Sequence, residues 1–195
     1  MEERNNLFPI FLKAHQIKML IIGGGNVAEE KLTFLLKSSP DSNVTLVAKD
    51  FKKEVIDICY RHDLSFKKKP FEESDLTGQL IVIVATDDKQ LNTEIYKLCR
   101  AKNILVNVAD TPETCDFYLG GIVTKENLKI AISTNGKSPT MAKRLRQMLE
   151  QELPESMGDL LNNMNDFRKT LSGDFTKKME ALNKHTKQLI SNKND

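Results

Sequence analysis

Along the first 110 residues, blocks of consecutive apolar side chains alternate with stretches whose apolar positions recur every three or four residues. The first pattern predicts buried strands and the second amphipathic helices. IKMLII (17–22) reads as a strand, and NVAEEKLTFLLKS (26–38) as a helix with Val27, Leu32, Leu35 and Leu36 on one side. Pro40, Asp41 and Ser42 break that pattern. NVTLVA (43–48) is a second strand, FKKEVIDICYRH (51–62) a second helix, and LSFKK (64–68) a weak, partly exposed third strand. LIVIVAT (80–86) is apolar almost throughout, as a central parallel strand covered on both faces should be. A helix over 86–103 follows, with Thr86, Asp87 and Asp88 as capping candidates, and then the strand ILVNVAD (104–110).

This alternation predicts an α/β fold, a Rossmann-like doubly wound parallel sheet. After Asp110 the pattern changes. FYLGGIVTKENLKIAIST (117–134) reads as two strands joined by Lys125-Glu126-Asn127, with no helix between them. Ser138-Pro139 opens a helix, serine at the N-cap and proline at the first helical position. Leu145, Met148, Leu149 and Leu153 give that helix an apolar stripe, and Pro154 ends it. Two further helices are expected near 155–171 and 174–191. The expected division is a nucleotide-binding domain (1–112), a hairpin-and-helix dimerisation region (113–148) and a small C-terminal helical domain (149–195). An isolated hairpin is barely stable in water, so this one must dock: hairpin and helices are expected to pack against a second copy of the chain as a homodimer, the alternative being that they fold back on their own first domain.

Composition narrows the classes. A net charge of +2 over 195 residues argues against a general nucleic-acid binder. No apolar run approaches the roughly 20 residues that cross a bilayer. The acidic start MEERNN lacks a cleavable-signal layout. Cys59, Cys99 and Cys115 are widely spaced and without a C-x-x-C pair, which fits a reducing compartment and a cytoplasmic address.

The chemistry concentrates at Gly23-Gly24-Gly25-Asn26-Val27-Ala28, a G-x-G-x-x-A between strand and helix. Gly23 permits a tight turn, Gly25 lets a pyrophosphate approach the main chain, and Ala28 lets the helix lie near the sheet. The helix's first-turn N–H groups and its dipole face the anion. An acidic residue for the ribose is expected at the end of the second strand, where Lys49 and Asp50 stand. The carboxylate favours NAD, while the lysine would tolerate a 2′-phosphate. No tyrosine is followed by lysine four residues on, and His15, His62 and His185 lie in regions remote from the expected cleft. That leaves ATDD (85–88) and NVADTP (107–112) at strand carboxyl ends, with Asp110 a candidate general base.

Five ordered motifs then carry a family resemblance: LFPIF (7–11), IIGGGNVAEEK (21–31), ATDD with Asn92, NVADTPETCDFYLGGIV (107–123) and STNGKSPTMAKRLR (133–146). Together they resemble the precorrin-2 dehydrogenase/sirohydrochlorin ferrochelatase family, the N-terminal part of siroheme synthases. The resemblance implies NAD-dependent oxidation of precorrin-2 to sirohydrochlorin and, in several members, Fe²⁺ insertion. It places cofactor contacts on Gly23, Gly24, Gly25, Asn26, Val27, Lys49, Asp50, Thr86 and Asp87, and the catalytic carboxylate on Asp110. It leaves any metal ligands unknown.

Such a tetrapyrrole bears many carboxylates. Ser133, Thr134, Lys137 and Ser138 are the candidate substrate-binding residues, at a helix start that favours anions. Lys143, Arg144 and Arg146 read equally as substrate contacts or as a solvated helix face. Two other readings remain open, a non-catalytic NAD(H)-sensing module and a chelatase alone.

Overall fold

The structure is a computed structural model that describes residues 4–172 and 175–186. Five strands, β1 (Met19–Ile22), β2 (Val44–Ala48), β3 (Ser65–Lys68), β4 (Ile81–Val84) and β5 (Leu105–Val108), form one sheet. Their order is β3-β2-β1-β4-β5 and every pairing is parallel. Met19 aligns with Val44 on one side and Ile81 on the other, so β1 is the centre from which the chain winds outward twice.

Alternation along the strands feeds two separate cores. Met19 and Ile21 point to one face, where α1 (Asn26–Ser38) and α2 (Lys53–Arg61) contribute Ala28, Leu32, Leu36, Val55 and Cys59. Leu20 and Ile22 point to the other, where α3 (Lys89–Ala101) contributes Ile95 and Cys99. Both faces are therefore covered, which is why LIVIVAT shows no polar alternation. The doubly wound expectation holds.

The crossover from β3 to β4 departs from the simple alternation. A single 3₁₀ turn, Glu73–Leu76, replaces a helix and inserts Leu76 into the second core. Its Asp75 is buried and accepts hydrogen bonds from Lys69 (2.7 Å), the Glu72 N–H (3.1 Å) and Lys67 (3.2 Å). Those bonds clamp the turn to the edge strand. The α3 helix also starts later than its sequence pattern implied. Asp88 is its N-cap and accepts from the N–H groups of Gln90 and Leu91 at 3.0 Å each, so Thr86 and Asp87 belong to the preceding loop.

The described residues fall into two compact units. One runs to Gly120 and includes Ser133–Pro139; the other joins Gly121–Ile132 to the residues from Thr140 onward. In the second unit, β6 (Gly121–Lys125) and β7 (Leu128–Ile132) pair antiparallel. Lys125 pairs with Leu128, so the turn is only Glu126-Asn127, with Glu126 at φ 48°. Three helices follow: α4 (Pro139–Glu152), α5 (Met157–Thr170) and α6 (Phe175–Thr186). The part of the last expected helix beyond 186 lies outside the described residues.

The hairpin docks on these helices within its own chain. A methyl at Gly121 would come within 3.3 Å of the Ala142 carbonyl oxygen on α4. A methyl at Gly158 on α5 would run into the Glu126 side chain. Lys125 forms an ion pair with Glu155, and Val123 is fully buried. The expected stripe on α4 is only partly covered: Leu145 and Leu149 are half-buried and Met148 is 49% exposed.

Candidate nucleotide site

The three glycines have three different reasons to be bare. Gly23 continues β1, its N–H donating to the Val47 carbonyl (2.9 Å), and it turns at φ 126°. A methyl there would lie 2.2 Å from the Ala85 carbonyl oxygen. A methyl on Gly24 would lie 2.1 Å from the Asp50 carbonyl oxygen. Both are dictated by neighbouring backbone. Gly25 is not: its φ is −92°, and nothing lies within 4 Å of where its Cβ would be. Its bare side faces open space.

That open space lies at the start of α1. Gly25 is the N-cap, and no side chain caps the helix. The first main-chain bond runs from the Glu29 N–H to the Gly25 carbonyl (3.0 Å). The earlier N–H groups, of Asn26, Val27 and Ala28, are left without an intrahelical acceptor, as at every helix start. Fully buried Ala28 holds the helix against the sheet. Glu29, an acid in this first turn, would repel an anion, but Lys52 pairs with it at 2.7 Å. The bond to Glu29 is what raises the Lys52 pKa.

The remaining candidates line the same carboxyl edge of the sheet. The Ala85 N–H bonds to Ile22 (2.7 Å) and the Ala109 N–H to Val84 (2.9 Å). Thus Gly23, Thr86 and Asp110 follow the ends of three adjacent strands, the outer two about 10 Å apart at normal strand spacing. Lys49 and Asp50 are exposed beyond β2, and Asp50 pairs with Lys68 at 3.0 Å. Thr86 is locked: its hydroxyl bonds Asn92 Oδ1 (2.5 Å) and accepts the Asp88 N–H (3.2 Å), and its carbonyl accepts Asn92 Nδ2 (3.0 Å). It shapes the loop, while Asp87 beside it is exposed.

Asp110 is exposed and sits at φ 58°, a left-handed conformation uncommon outside glycine. Its carboxylate takes no hydrogen bond or ion pair from any described residue. The loop carrying it is pinned from below. Buried Asn107 donates from Nδ2 to the Phe117 carbonyl (2.8 Å), and Asp116 accepts from the Val106 N–H (3.0 Å) and from Arg100 (2.5 Å). The Cys115 thiol lies 3.2 Å from the Val108 carbonyl and 3.3 Å from that of Thr111. Burial pushes the Cys115 thiol pKa up, and pushes that of Cys99 up to about 11. None of this makes a reactive thiolate.

Asn107 and Asp116 went unnoticed in the sequence because they act as supports. A polar residue in an otherwise apolar strand is the signal that marks Asn107.

The loop from Ser133 to Ser138 belongs to the same compact unit as the sheet. It is self-bonded. Thr134 Oγ1 accepts the Ser138 N–H (3.2 Å) and donates to the Ser138 carbonyl (3.1 Å), and Ser133 Oγ accepts the Asn135 N–H (3.2 Å). Asn135 and Gly136 both have positive φ. Of the cations on α4, Arg146 is held by Glu150 at 2.6 Å, which favours the helix-face reading for it. His15 and His62 lie at the amino ends of strands, opposite the candidate edge, and the His185 side chain is outside the described residues. Among the described residues no group of three or more His, Cys, Asp or Glu side chains is arranged to hold a metal ion.

Comparison with known proteins accords with this geometry. A family model described as "Putative NAD(P)-binding" matches residues 10–121, more than half of the chain. The chain belongs to this NAD(P)-binding family. A second model, "Sirohaem biosynthesis protein central", matches residues 125–152. The siroheme synthase of Ruthia magnifica subsp. Calyptogena magnifica is 36% identical over 171 residues, 88% of this chain and 36% of that protein. That of Pseudoalteromonas translucida (strain TAC 125) is 36% identical over 177 residues, 91% of this chain and 35% of that protein. The chain thus spans about a third of the length of these relatives. Among solved structures, "SirC, precorrin-2 dehydrogenase" shares the fold, with a TM-score of 0.75 and 23% identity, covering 95% of this chain and 93% of that one. The resemblance carried by the five motifs is met by these matches. The residues present fit a dinucleotide, since the open cradle at Gly25 and the uncapped helix start suit a pyrophosphate.

Proposed function

We propose that the chain is a precorrin-2 dehydrogenase, oxidising precorrin-2 to sirohydrochlorin with NAD⁺ in siroheme biosynthesis. The observation that carries this reading is the pairing of an open phosphate cradle at Gly25 with Asp110, whose carboxylate has no partner among the described residues, on the same sheet edge. Bound NAD⁺ would supply the hydride acceptor. The Gly25–Ala28 turn would hold the diphosphate, Asp50 the ribose hydroxyls, and Thr86 with Asp87 would border the nicotinamide side. Asp110 takes the proton that leaves the macrocycle.

Ser133, Thr134, Lys137 and Ser138 supply hydroxyls, main-chain N–H groups and a cation to the substrate's carboxylates. In this reading residues 1–112 bind the nucleotide, 113–148 form the dimerisation region and 149–195 the C-terminal helical domain, in a cytoplasmic homodimer. No helix among the described residues is long and apolar enough to cross a membrane. Fe²⁺ insertion is a second reading, favoured by the same unpartnered Asp110, which would attract the cation and accept pyrrole protons.

Asp110→Asn tests the assignment. Its turnover of precorrin-2, followed as NADH absorbance, should fall by about 10²–10⁴-fold while NAD⁺ still binds. Wild-type turnover in that variant would remove Asp110 from the reaction. The same protein mixed with sirohydrochlorin and Fe²⁺, without nucleotide, reads the chelatase step separately.

A further inference from the structure

The nucleotide corner contains a cation that the sequence pattern did not single out. Ala48, the last residue of β2, aligns with Lys68, the last residue of β3. Just beyond Ala48, Asp50 is pressed against the glycine corner: its carbonyl oxygen occupies the space a Gly24 side chain would need, and the Lys52 N–H bonds the Gly24 carbonyl at 2.8 Å. In open α/β sheets the adenosine ribose lies at this place. Lys68 Nζ reaches across to Asp50 Oδ1 at 3.0 Å, and both side chains are exposed, 66% and 85%.

The other lysines nearby are committed elsewhere. Lys67 and Lys69 hold Asp75, and Lys52 holds Glu29. Lys49 has no ion-pair partner among the described residues. The ribose corner therefore presents one carboxylate with the Lys68 ammonium against it, and with Lys49 its neighbour in sequence. A lone acid there would repel a 2′-phosphate; here the Lys68 ammonium offsets it.

We infer that Lys68 determines coenzyme selection, giving the ribose corner an anion-accepting group so that it takes NADP⁺ as well as NAD⁺. The inference rests on the nucleotide-binding reading and deepens it. With NAD⁺, the ribose 2′-hydroxyl donates to Asp50, whose carboxylate Lys68 keeps in place. With NADP⁺, the 2′-phosphate displaces Asp50 from Lys68, and Lys49 lies close enough along the chain to join it. Arginine would be the better phosphate fork, but a lysine on an exposed strand end is a sufficient point charge.

The test is calorimetric binding of NAD⁺ and NADP⁺ to the full chain, at low and at high salt, for wild type, Lys68→Ala and Asp50→Ala. Wild type should bind NADP⁺ within about tenfold of NAD⁺, and Lys68→Ala should shift the ratio about tenfold towards NAD⁺. Asp50→Ala should shift it the other way. Both shifts should shrink at high salt, because the groups are exposed. Wild type that binds NAD⁺ but not NADP⁺, or a ratio unmoved by Lys68→Ala, overturns this inference alone. Wild type that binds neither overturns the nucleotide reading with it.

Discussion

Gly23 and Gly25 look equivalent in the motif and differ completely in the structure. A methyl at Gly23 meets the Ala85 carbonyl at 2.2 Å in a backbone turned to φ 126°. Gly23→Ala should therefore cost about 3 kcal/mol or more of stability, from strain and overpacking together. Gly25 has an ordinary φ and no neighbour within 4 Å. Gly25→Ala should leave the melting temperature nearly unchanged yet weaken nucleotide binding about tenfold or more, because the methyl stands where the diphosphate must approach. Thermal melts beside a nucleotide titration separate the two effects. A Gly25→Ala protein that binds as well as wild type would move the phosphate away from this cradle. Asp110 makes the complementary point: no described residue bonds its carboxylate, and its backbone is left-handed at φ 58°.

Elements place these residues by bonds invisible in the motif. The loop after β5 is held by Asn107 and Asp116, so the position of Asp110 depends on bonds made elsewhere in its loop and strand. The 3₁₀ turn before β4 is held in the same way by Asp75. Burial pushes the Asp75 carboxyl pKa up, but bonds from Lys69, the Glu72 N–H and Lys67 outweigh it, and the pKa ends below its usual value. A depressed folded-state pKa adds stability that is complete above the unfolded value, near pH 4, and lost as pH falls through the folded one. Asp75→Asn should destabilise by about 1–3 kcal/mol at neutral pH and flatten the acid limb of the stability curve. Urea melts across acid pH measure both; an unchanged acid limb would mean Asp75 is not the titrating clamp.

For the whole molecule, the proposed dimer bears on the second unit. The hairpin rests on α4 and α5 of its own chain, yet Met141 and Met148 on α4 stay 53% and 49% exposed. With Leu145 they share one helical face, an arrangement suited to a second copy. Sedimentation should show a dimer at micromolar concentration, and Met148→Glu should raise its dissociation constant about tenfold or more. A wild-type protein that sediments as a monomer would remove the dimer from the proposed function.

Much of this molecule was legible in the order of its residues. Unbroken apolar blocks such as IVIV read as strands covered on both faces, and the glycine corner between strand and helix as a place where backbone is left bare, because both follow from local sterics and hydrophobic period. Folding alone decided which glycine faces open space and which face neighbouring carbonyls. It also decided that Lys68 meets Asp50, and that Asn107 and Asp116 carry the loop of Asp110. Those facts depend on contacts between segments far apart in the chain, and no local period records which distant backbone will arrive beside a given residue.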